Sequence, residues 1–156
     1  MFVLDSSAIF SGHIPSERCF ITPEVEAEIK DSLSAENLLS NIGSGRIEVR
    51  HPKLEFLDKI RQAVLRTGDS LSPADVSVLA LALELGATVI SDDYGIQNMA
   101  KISGIRYATA KSAGIGSVFF WSKKCTGCGK AFNGTEEVCD VCGSALKKVV
   151  KRKASR

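Results

Sequence analysis

The chain has 156 residues, of which 44% are apolar and 24% are charged, and its formal net charge is +2. This length supports one well-buried domain and one small additional unit. The sequence lacks an apolar run of about 18 residues, which argues against a membrane-spanning helix. Its first residues also lack the basic and then apolar pattern of a signal peptide. We therefore expect an intracellular, cytoplasmic protein.

The charge is unevenly distributed along the chain. Residues 1–120 have a net charge of −4, whereas residues 121–156 have a net charge of +6. An acidic body with a basic C-terminal part suggests that a phosphate-rich partner is bound first by the C-terminal part.

Strand and helix patterns alternate along the first 107 residues. Short, mainly apolar segments predict strands at residues 2–4, 18–21, 87–91 and 105–107, and alternation of apolar and charged residues predicts an edge strand at 46–49. Helices are predicted between them, and those starting at Pro23 and Pro73 have a hydroxyl residue before a proline, a common helix start. The helix from Pro23 is expected to continue through Ile29 to Leu33. This βαβα order predicts an α/β domain with a mainly parallel sheet and helices on both faces.

The C-terminal part has a different composition. Residues 108–118 are rich in Ala, Gly and Ser, so we interpret residues 108–120 as a linker between a domain at 1–107 and a unit at 121–147. Residues 148–156 are basic and predicted to be a disordered tail.

Two Cys-x-x-Cys-Gly motifs lie in the predicted small unit. They comprise Cys125 and Cys128, and then Cys139 and Cys142. This spacing is typical of a tetrahedral zinc site, although disulfides or redox thiols are the alternatives. Since sulfur would take all four positions, we expect a structural zinc in a zinc ribbon. The fifth cysteine, Cys19, lies in an apolar run and is predicted to be buried.

Acidic residues follow two of the predicted strands. Asp5 comes directly after the first strand, and Asp92 and Asp93 follow the strand at 87–91. Ligands bind at the carboxyl ends of strands in parallel sheets, and carboxylates gathered there repel one another unless a cation is bound. With Asp75 at a helix start and Glu28 on a helix, these acids suggest Mg²⁺ or Mn²⁺. Capping by Asp75 and solvation of Glu28 are the simpler alternatives.

Other chemistries are disfavoured by the sequence. It contains no phosphate-binding G-x-x-x-x-G-K-[ST] loop and no G-x-G-x-x-G after a strand. His13 and His51 lie in loop-like segments and are interpreted as surface residues.

These acids occur in recognisable motifs. The motifs are Asp5-Ser6-Ser7-Ala8, Val25-x-x-Glu28-Ile29, Ser72-x-Ala74-Asp75 and Ser91-Asp92-Asp93-Tyr94. Together they resemble the PIN domain, a metal-dependent ribonuclease fold with a small parallel sheet. With Ile96-Gln97-Asn98 and the four cysteines added, the chain is similar to the archaeal Nob-type endonucleases over nearly all of residues 1–146.

The resemblance implies roles for individual residues. The metal-binding acids would be Asp5, Glu28, Asp75 and one or both of Asp92 and Asp93. The family's T-x-D motif aligns with Ser91-x-Asp93 and so favours Asp93, with Ser7 and Ser91 as supporting hydroxyls. The RNA-binding residues would be Lys123, Lys124, Lys130, Lys147 and Lys148, for which solubility is the alternative role.

The resemblance also implies an activity. The family cleaves single-stranded RNA with Mg²⁺ or Mn²⁺ to mature the 3′ end of small-subunit (16S) ribosomal RNA, within the small-subunit precursor. Hydrolysis would leave a 3′-hydroxyl and a 5′-phosphate. A PIN-type toxin ribonuclease of a toxin–antitoxin pair is one alternative, against which the fused ribbon argues. A non-catalytic RNA-binding scaffold is another.

Overall fold

A five-stranded parallel sheet forms the centre of the protein in the computed structural model, which describes residues 1–111, 113–134 and 136–155. The sheet order is β3-β2-β1-β4-β5. The strands are β1 (Phe2–Leu4), β2 (Cys19–Ile21), β3 (Ile47–Val49), β4 (Thr88–Ile90) and β5 (Tyr107–Ala108). Since the strand order reverses between β1 and β4, their carboxyl ends border a crevice suited to ligand binding.

Six helices connect these strands. They are α1 (Ser6–Phe10), α2 (Pro23–Glu28), α3 (Ser32–Gly43), α4 (Leu54–Thr67), α5 (Pro73–Leu85) and α6 (Tyr94–Ser103). Helix α5 is apolar on all sides and largely buried, and it contacts β1, α2, α4 and α6. None of the helices in the described ranges is long and apolar enough to cross a membrane.

The helix that begins at Pro23 is shorter than predicted. It ends at Glu28, because Ile29 has an extended backbone and Asp31 caps a new helix by accepting a hydrogen bond from Ser34 N at 2.9 Å. Leu33 consequently lies on α3 and is 78% exposed. The prediction that one helix continues through Leu33 was wrong, since a local Asp cap outweighs the apolar spacing.

The C-terminal part forms a second, antiparallel sheet. Its strands are β6 (Ser117–Cys125), β7 (Ala131–Phe132) and β8 (Leu146–Ser155), in the order β7-β6-β8. The expected linker at 108–120 therefore contains the start of β6, and the expected disordered tail at 148–156 is strand up to residue 155. Pairing with β6 gives the tail backbone the hydrogen-bond partners that composition alone does not reveal. Arg156, Ser112 and Thr135 lie outside the described residues.

Strand β6 is attached to the parallel-sheet domain through Asn98 of α6. The Asn98 amide donates to the Phe119 carbonyl at 2.9 Å and its oxygen accepts from Phe119 N at 2.8 Å. The same amide donates to Asp69 at 2.9 Å. These bonds fix the β6 backbone beside the helix that begins after Asp93.

Candidate active site and cysteine centre

Asp5 lies at the end of β1 with its carboxylate held by two serine hydroxyls. Asp5 is only 4% exposed. Its Oδ2 accepts hydrogen bonds of 2.8 Å from both Ser7 and Ser91, whereas Ser6 approaches Oδ1 at 3.4 Å. Hydroxyl donors stabilise the charged carboxylate and fix its orientation. The structure thus brings together Asp5 and the two predicted supporting serines.

The two aspartates after β4 differ in their hydrogen bonds. Asp93 caps α6, because its Oδ1 accepts from Gly95 N at 2.6 Å and from Ile96 N at 3.1 Å. Asp92 instead accepts bonds of 3.1 Å from the backbone amides of Ala110 and Lys111, which engage both of its carboxylate oxygens. Asp93 therefore retains an oxygen for a ligand, whereas the Asp92 oxygens are occupied by the chain.

Asp75 belongs to the same group of charges as Asp5 and Asp93. It is the third residue of α5 and forms a capping box with Ser72, whose backbone N–H donates to Asp75 Oδ2 at 2.7 Å. Burial raises the pKa of Asp75; hydrogen bonding with Ser72 opposes this effect, and the negative charges of Asp93 and Asp5 raise the pKa further. Asp75 is therefore close enough to both Asp5 and Asp93 to be affected by their charges.

Glu28 is less closely integrated. It is the last residue of α2 and is exposed. Within the described ranges, its carboxylate forms no hydrogen bond or ion pair. The structure therefore places it on a helix that packs on α1 and α5 but does not join it to the other acids through hydrogen bonds.

The acids are suited to a hard divalent cation. In Asp5, Asp75 and Asp93, hydrogen bonds of 3.1 Å or less hold one oxygen of each carboxylate and leave the other without such a bond among the described residues. Oriented carboxylate oxygens are the ligands that Mg²⁺ and Mn²⁺ prefer. The acids do not form a tight cluster, because among the described residues the four cysteines are the only group of three or more potential ligands whose ligand atoms all lie within 4.8 Å of one another.

The four cysteines converge at the far end of the second sheet. The Sγ atoms of Cys125 and Cys142 are 3.3 Å apart, and those of Cys128 and Cys139 are 3.6 Å apart. These separations are too long for a disulfide, whose sulfurs lie about 2.05 Å apart. They approach the edge of roughly 3.8 Å expected for a tetrahedron with zinc–sulfur bonds of about 2.3 Å. An all-sulfur donor set of this shape fits zinc.

The local hydrogen bonds favour thiolate at Cys142 and Cys125 but not at Cys128, where the backbone bond of Lys130 lowers the pKa and the sulfurs of Cys139 and Cys125 outweigh it, raising the pKa to about 11. Hydrogen bonding with Ser144 lowers the pKa of Cys142 to about 6. The backbone amides of Gly127 and Cys128 donate to the Sγ of Cys125, at 3.3 and 3.4 Å. Amide and hydroxyl bonds to sulfur stabilise the charged form that binds a metal.

Comparisons with known proteins identify the family. A family model described as the PIN domain of ribonuclease matches residues 2–85. Endoribonuclease Nob1 of Pyrococcus abyssi is 43% identical over 157 residues, covering 98% of this chain and 96% of that protein. The chain belongs to the PIN-domain endoribonucleases of the Nob1 type. The predicted PIN-like fold, followed by a four-cysteine cluster, is confirmed.

Three further similarities broaden this picture. The 20S-pre-rRNA D-site endonuclease nob1 of Schizosaccharomyces pombe is 33% identical over 84 residues, covering 53% of this chain and 21% of that protein. Ribonuclease VapC1 of Thermoplasma acidophilum is 36% identical over 152 residues, covering 95% of this chain and 77% of that protein. A solved VapBC-1 structure from nontypeable Haemophilus influenzae has a TM-score of 0.51 at 15% identity, covering 69% of this chain and 96% of that chain. This last likeness concerns the fold alone.

Four of the lysines predicted to bind RNA lie on the two long strands beside the PIN domain. Lys123 pairs with Lys148 across β6 and β8, and Lys124 pairs with Lys147. Successive side chains alternate between faces, so each face of the sheet carries one such pair. Like charges directly opposite each other destabilise a sheet, and an anionic partner would relieve that repulsion.

Lys130, the fifth lysine predicted to bind RNA, forms an ion pair with Asp140, which lies between Cys139 and Cys142. Its Nζ is 2.8 Å from Asp140 Oδ1, and it also lies over the Phe132 ring at 5.1 Å from the centroid. Lys130 is therefore less available to phosphate than the lysines on β8.

Four side chains near Asp93 were not recognised as site residues from the sequence. Tyr94, Phe119, Trp121 and Lys153 line a pocket of about 610 Å³ that also includes Asp93. The apolar run at 118–121 was a signal for a strand, but it was assigned partly to a linker. Lys153 lies in the segment 148–156, which the sequence predicts to be a disordered tail.

Proposed function

We propose that this PIN-domain endoribonuclease uses Mg²⁺ or Mn²⁺ to cleave single-stranded precursor RNA and mature the 3′ end of small-subunit (16S) ribosomal RNA. The observation that carries the proposal is the buried Asp5 carboxylate, held by Ser7 and Ser91 beside Asp75 and Asp93. The name of the Schizosaccharomyces pombe relative supports a ribosomal RNA precursor as the substrate. The expected cytoplasmic location and zinc in the cysteine centre are parts of the same proposal.

The mechanism assigns the metal to Asp5, Asp75 and Asp93, with the exposed Glu28 as a further acid. A divalent ion at these carboxylates would supply Lewis-acid polarisation of the scissile phosphate and a more acidic water. Ser7 and Ser91 orient Asp5, and the first amides of α6 orient Asp93. Water attack in line with the leaving oxygen would leave a 3′-hydroxyl and a 5′-phosphate.

The substrate preference follows from the shape and charge of the site. An acidic crevice at strand ends admits a flexible single strand more readily than a duplex. The lysine pairs of β6 and β8 would bind the phosphates of an adjoining RNA helix in the small-subunit precursor. Lys124, Lys147 and Lys148 are exposed and suited to this role, whereas Lys130 is paired with Asp140.

The test is cleavage mapping on a ribosomal RNA precursor that extends beyond the mature 3′ end. We expect wild-type protein with Mn²⁺ to make one main cut at that end and Asp5→Asn protein to make none, while both melt at similar temperatures. Addition of EDTA should stop cleavage, which a non-catalytic scaffold role would not predict. Full activity in Asp5→Asn would refute the proposed site.

A toxin ribonuclease is the second candidate. The fused ribbon argues against this class less strongly than expected, since a relative named VapC1 aligns over 95% of this chain. Growth arrest on expression, relieved by a small partner protein, would support the toxin. Accurate cleavage at the 3′ end of 16S precursor without growth arrest would support maturation.

A further inference from the structure

A pocket lies where the PIN domain meets the second sheet. It has a volume of about 610 Å³ and is bordered by Asp93 and Tyr94 at the start of α6 and by Phe119, Trp121 and Lys153 on β6 and β8. Pockets of about 300–1,000 Å³ accommodate small organic ligands, a class that includes a nucleotide. Because Asp93 belongs to both this pocket and the proposed catalytic site, a strand of RNA could pass from one to the other.

The walls of the pocket offer aromatic surface. Phe119 and Trp121 are stacked on each other, with centroids 5.9 Å apart and planes at 25°. Tyr94 is 62% exposed although it directly follows Asp93. The exposed Tyr94 ring provides a stacking surface for a nucleobase, and stacking is tolerant of base identity because every base has a π face.

The rim of the pocket is positively charged. Lys148 lies over the Trp121 ring at 4.7 Å from its centroid, and Lys153 lies over the Phe119 ring at 5.6 Å. Both lysines are exposed, and neither forms an ion pair with a carboxylate in the described part of the chain. They are therefore placed to bind phosphates above the aromatic rings.

The interior of the pocket has the opposite charge. Asp69 also lines the pocket, is half-buried and accepts a hydrogen bond from Asn98. A phosphate beside this carboxylate would be repelled, so a polyanionic backbone is favoured at the lysine rim and an uncharged base inside. This arrangement fits a nucleotide with its base inserted better than a bound phosphate group alone.

We propose that this junction pocket binds one nucleotide of the single-stranded RNA next to the scissile phosphate, with its base against Tyr94 and Trp121 and its phosphates at Lys148 and Lys153. The inference rests on the proposed ribonuclease function but not on the identity of the RNA. It assigns to β6 and β8 a part in substrate binding beside the catalytic acids, in addition to the proposed grip on an adjoining RNA helix.

The test uses Trp121, the single tryptophan of the chain. The probe is a single-stranded adenylate hexamer, added without Mg²⁺ or Mn²⁺ to the zinc-loaded full chain carrying Asp5→Asn, so that the RNA stays intact. We expect saturable quenching of tryptophan fluorescence. Tyr94→Ala should weaken binding by roughly 5- to 150-fold, the range for loss of one stacked base. Lys153→Gln should reduce the slope of log affinity against log salt by about 0.7, the value for one phosphate of a single strand.

Lys151→Gln is the matched control. It removes the same charge from the same strand, but Lys151 Nζ bonds to Asn133 at 3.0 Å and does not line the pocket. We expect it to leave the quenching curve unchanged. Equal effects of Lys151→Gln and Lys153→Gln would overturn the inference. The inference would also be overturned if anisotropy of a labelled hexamer showed RNA binding while Trp121 fluorescence stayed unchanged. If precursor cleavage at the 3′ end of 16S fails while these pocket results hold, only the identity of the RNA substrate is wrong.

Discussion

Ser91 and Asp5 are 86 positions apart in the chain, yet the Ser91 hydroxyl donates a 2.8 Å hydrogen bond to Asp5 Oδ2. The same hydroxyl accepts from Asp93 N at 3.0 Å. One buried oxygen atom thus connects the acid that follows β1 to the acid that caps α6. The relative positions of two proposed metal ligands depend on this serine.

Replacing Ser91 by alanine should therefore weaken metal binding. The change removes a donor to Asp5 and an acceptor for Asp93 N, and loss of an outer-shell partner costs roughly 10- to 100-fold in metal affinity or activity. Titration of Mn²⁺ against cleavage rate would measure the effect. Ser6→Ala is the control, because Ser6 lies 3.4 Å from Asp5 and should matter little. Equal losses in both variants would contradict the role of Ser91.

Asp92 and Asp93 should respond differently to the same substitution. Asp93→Asn removes a charged ligand, so we expect kcat/KM to fall by more than roughly 100-fold, the upper cost of an outer-shell change. Asp92→Asn should retain most activity, since its carboxylate oxygens are bound by the backbone amides of Ala110 and Lys111. The single-turnover cleavage rates of the two variants on the same substrate would measure the difference. The reverse order of activities would make Asp92 the ligand.

Gly68 and Gly86 provide a matched pair for the contact between the two sheets. Both follow a helix end with positive φ, of 68° and 60° respectively. A Cβ at Gly68 would lie 2.7 Å from the Trp121 carbonyl oxygen, whereas a Cβ at Gly86 would meet nothing within 4 Å. We expect Gly86→Ala to cost about 1–2 kcal/mol for left-handed backbone strain.

Gly68→Ala should cost more than this, because the β6 backbone must also move. Urea unfolding of the two variants would measure the difference. Identical losses of stability would mean that β6 does not pack on Gly68 in solution.

The cysteine centre should bind one zinc ion per chain. Elemental analysis would measure the zinc, and alkylation after chelation would count accessible thiols by mass. We expect four alkyl groups per folded chain, one on each cysteine of the centre. Cys19 should not react, because it is fully buried and burial raises the pKa of its thiol. Five rapid additions would show that β2 is exposed, and absence of zinc would contradict the metal assignment.

Local signals explain why much of the fold could be predicted from the sequence. The apolar residues of β1 and β4 and the Ser72 cap are encoded by neighbouring residues, and so is the position of Asp5 after a buried strand. The cysteine spacing is equally local. Cys19 was correctly predicted to be buried, and His13 and His51 are exposed as expected.

The remaining features depend on contacts between distant segments. The pairing of β6 with β8 gives order to a basic tail whose composition is typical of disorder. Both Asp92 and Asp93 follow the same strand, and the hydrogen bonds of Asp92 depend on the path of the distant residues 110–111. The aromatic pocket likewise requires α6 and β6 to meet, which no local pattern encodes.

Strand β6 connects Phe119, whose carbonyl is bonded to Asn98, to Cys125 in the cysteine centre as one strand. The six steps from Phe119 to Cys125 span at most roughly 20 Å of extended chain, at about 3.4 Å per residue. If the cysteine centre binds an RNA helix while Asp93 binds the metal, this strand fixes the distance between the helix and the metal. The number of residues in β6 would then set how far from the held helix the RNA is cut.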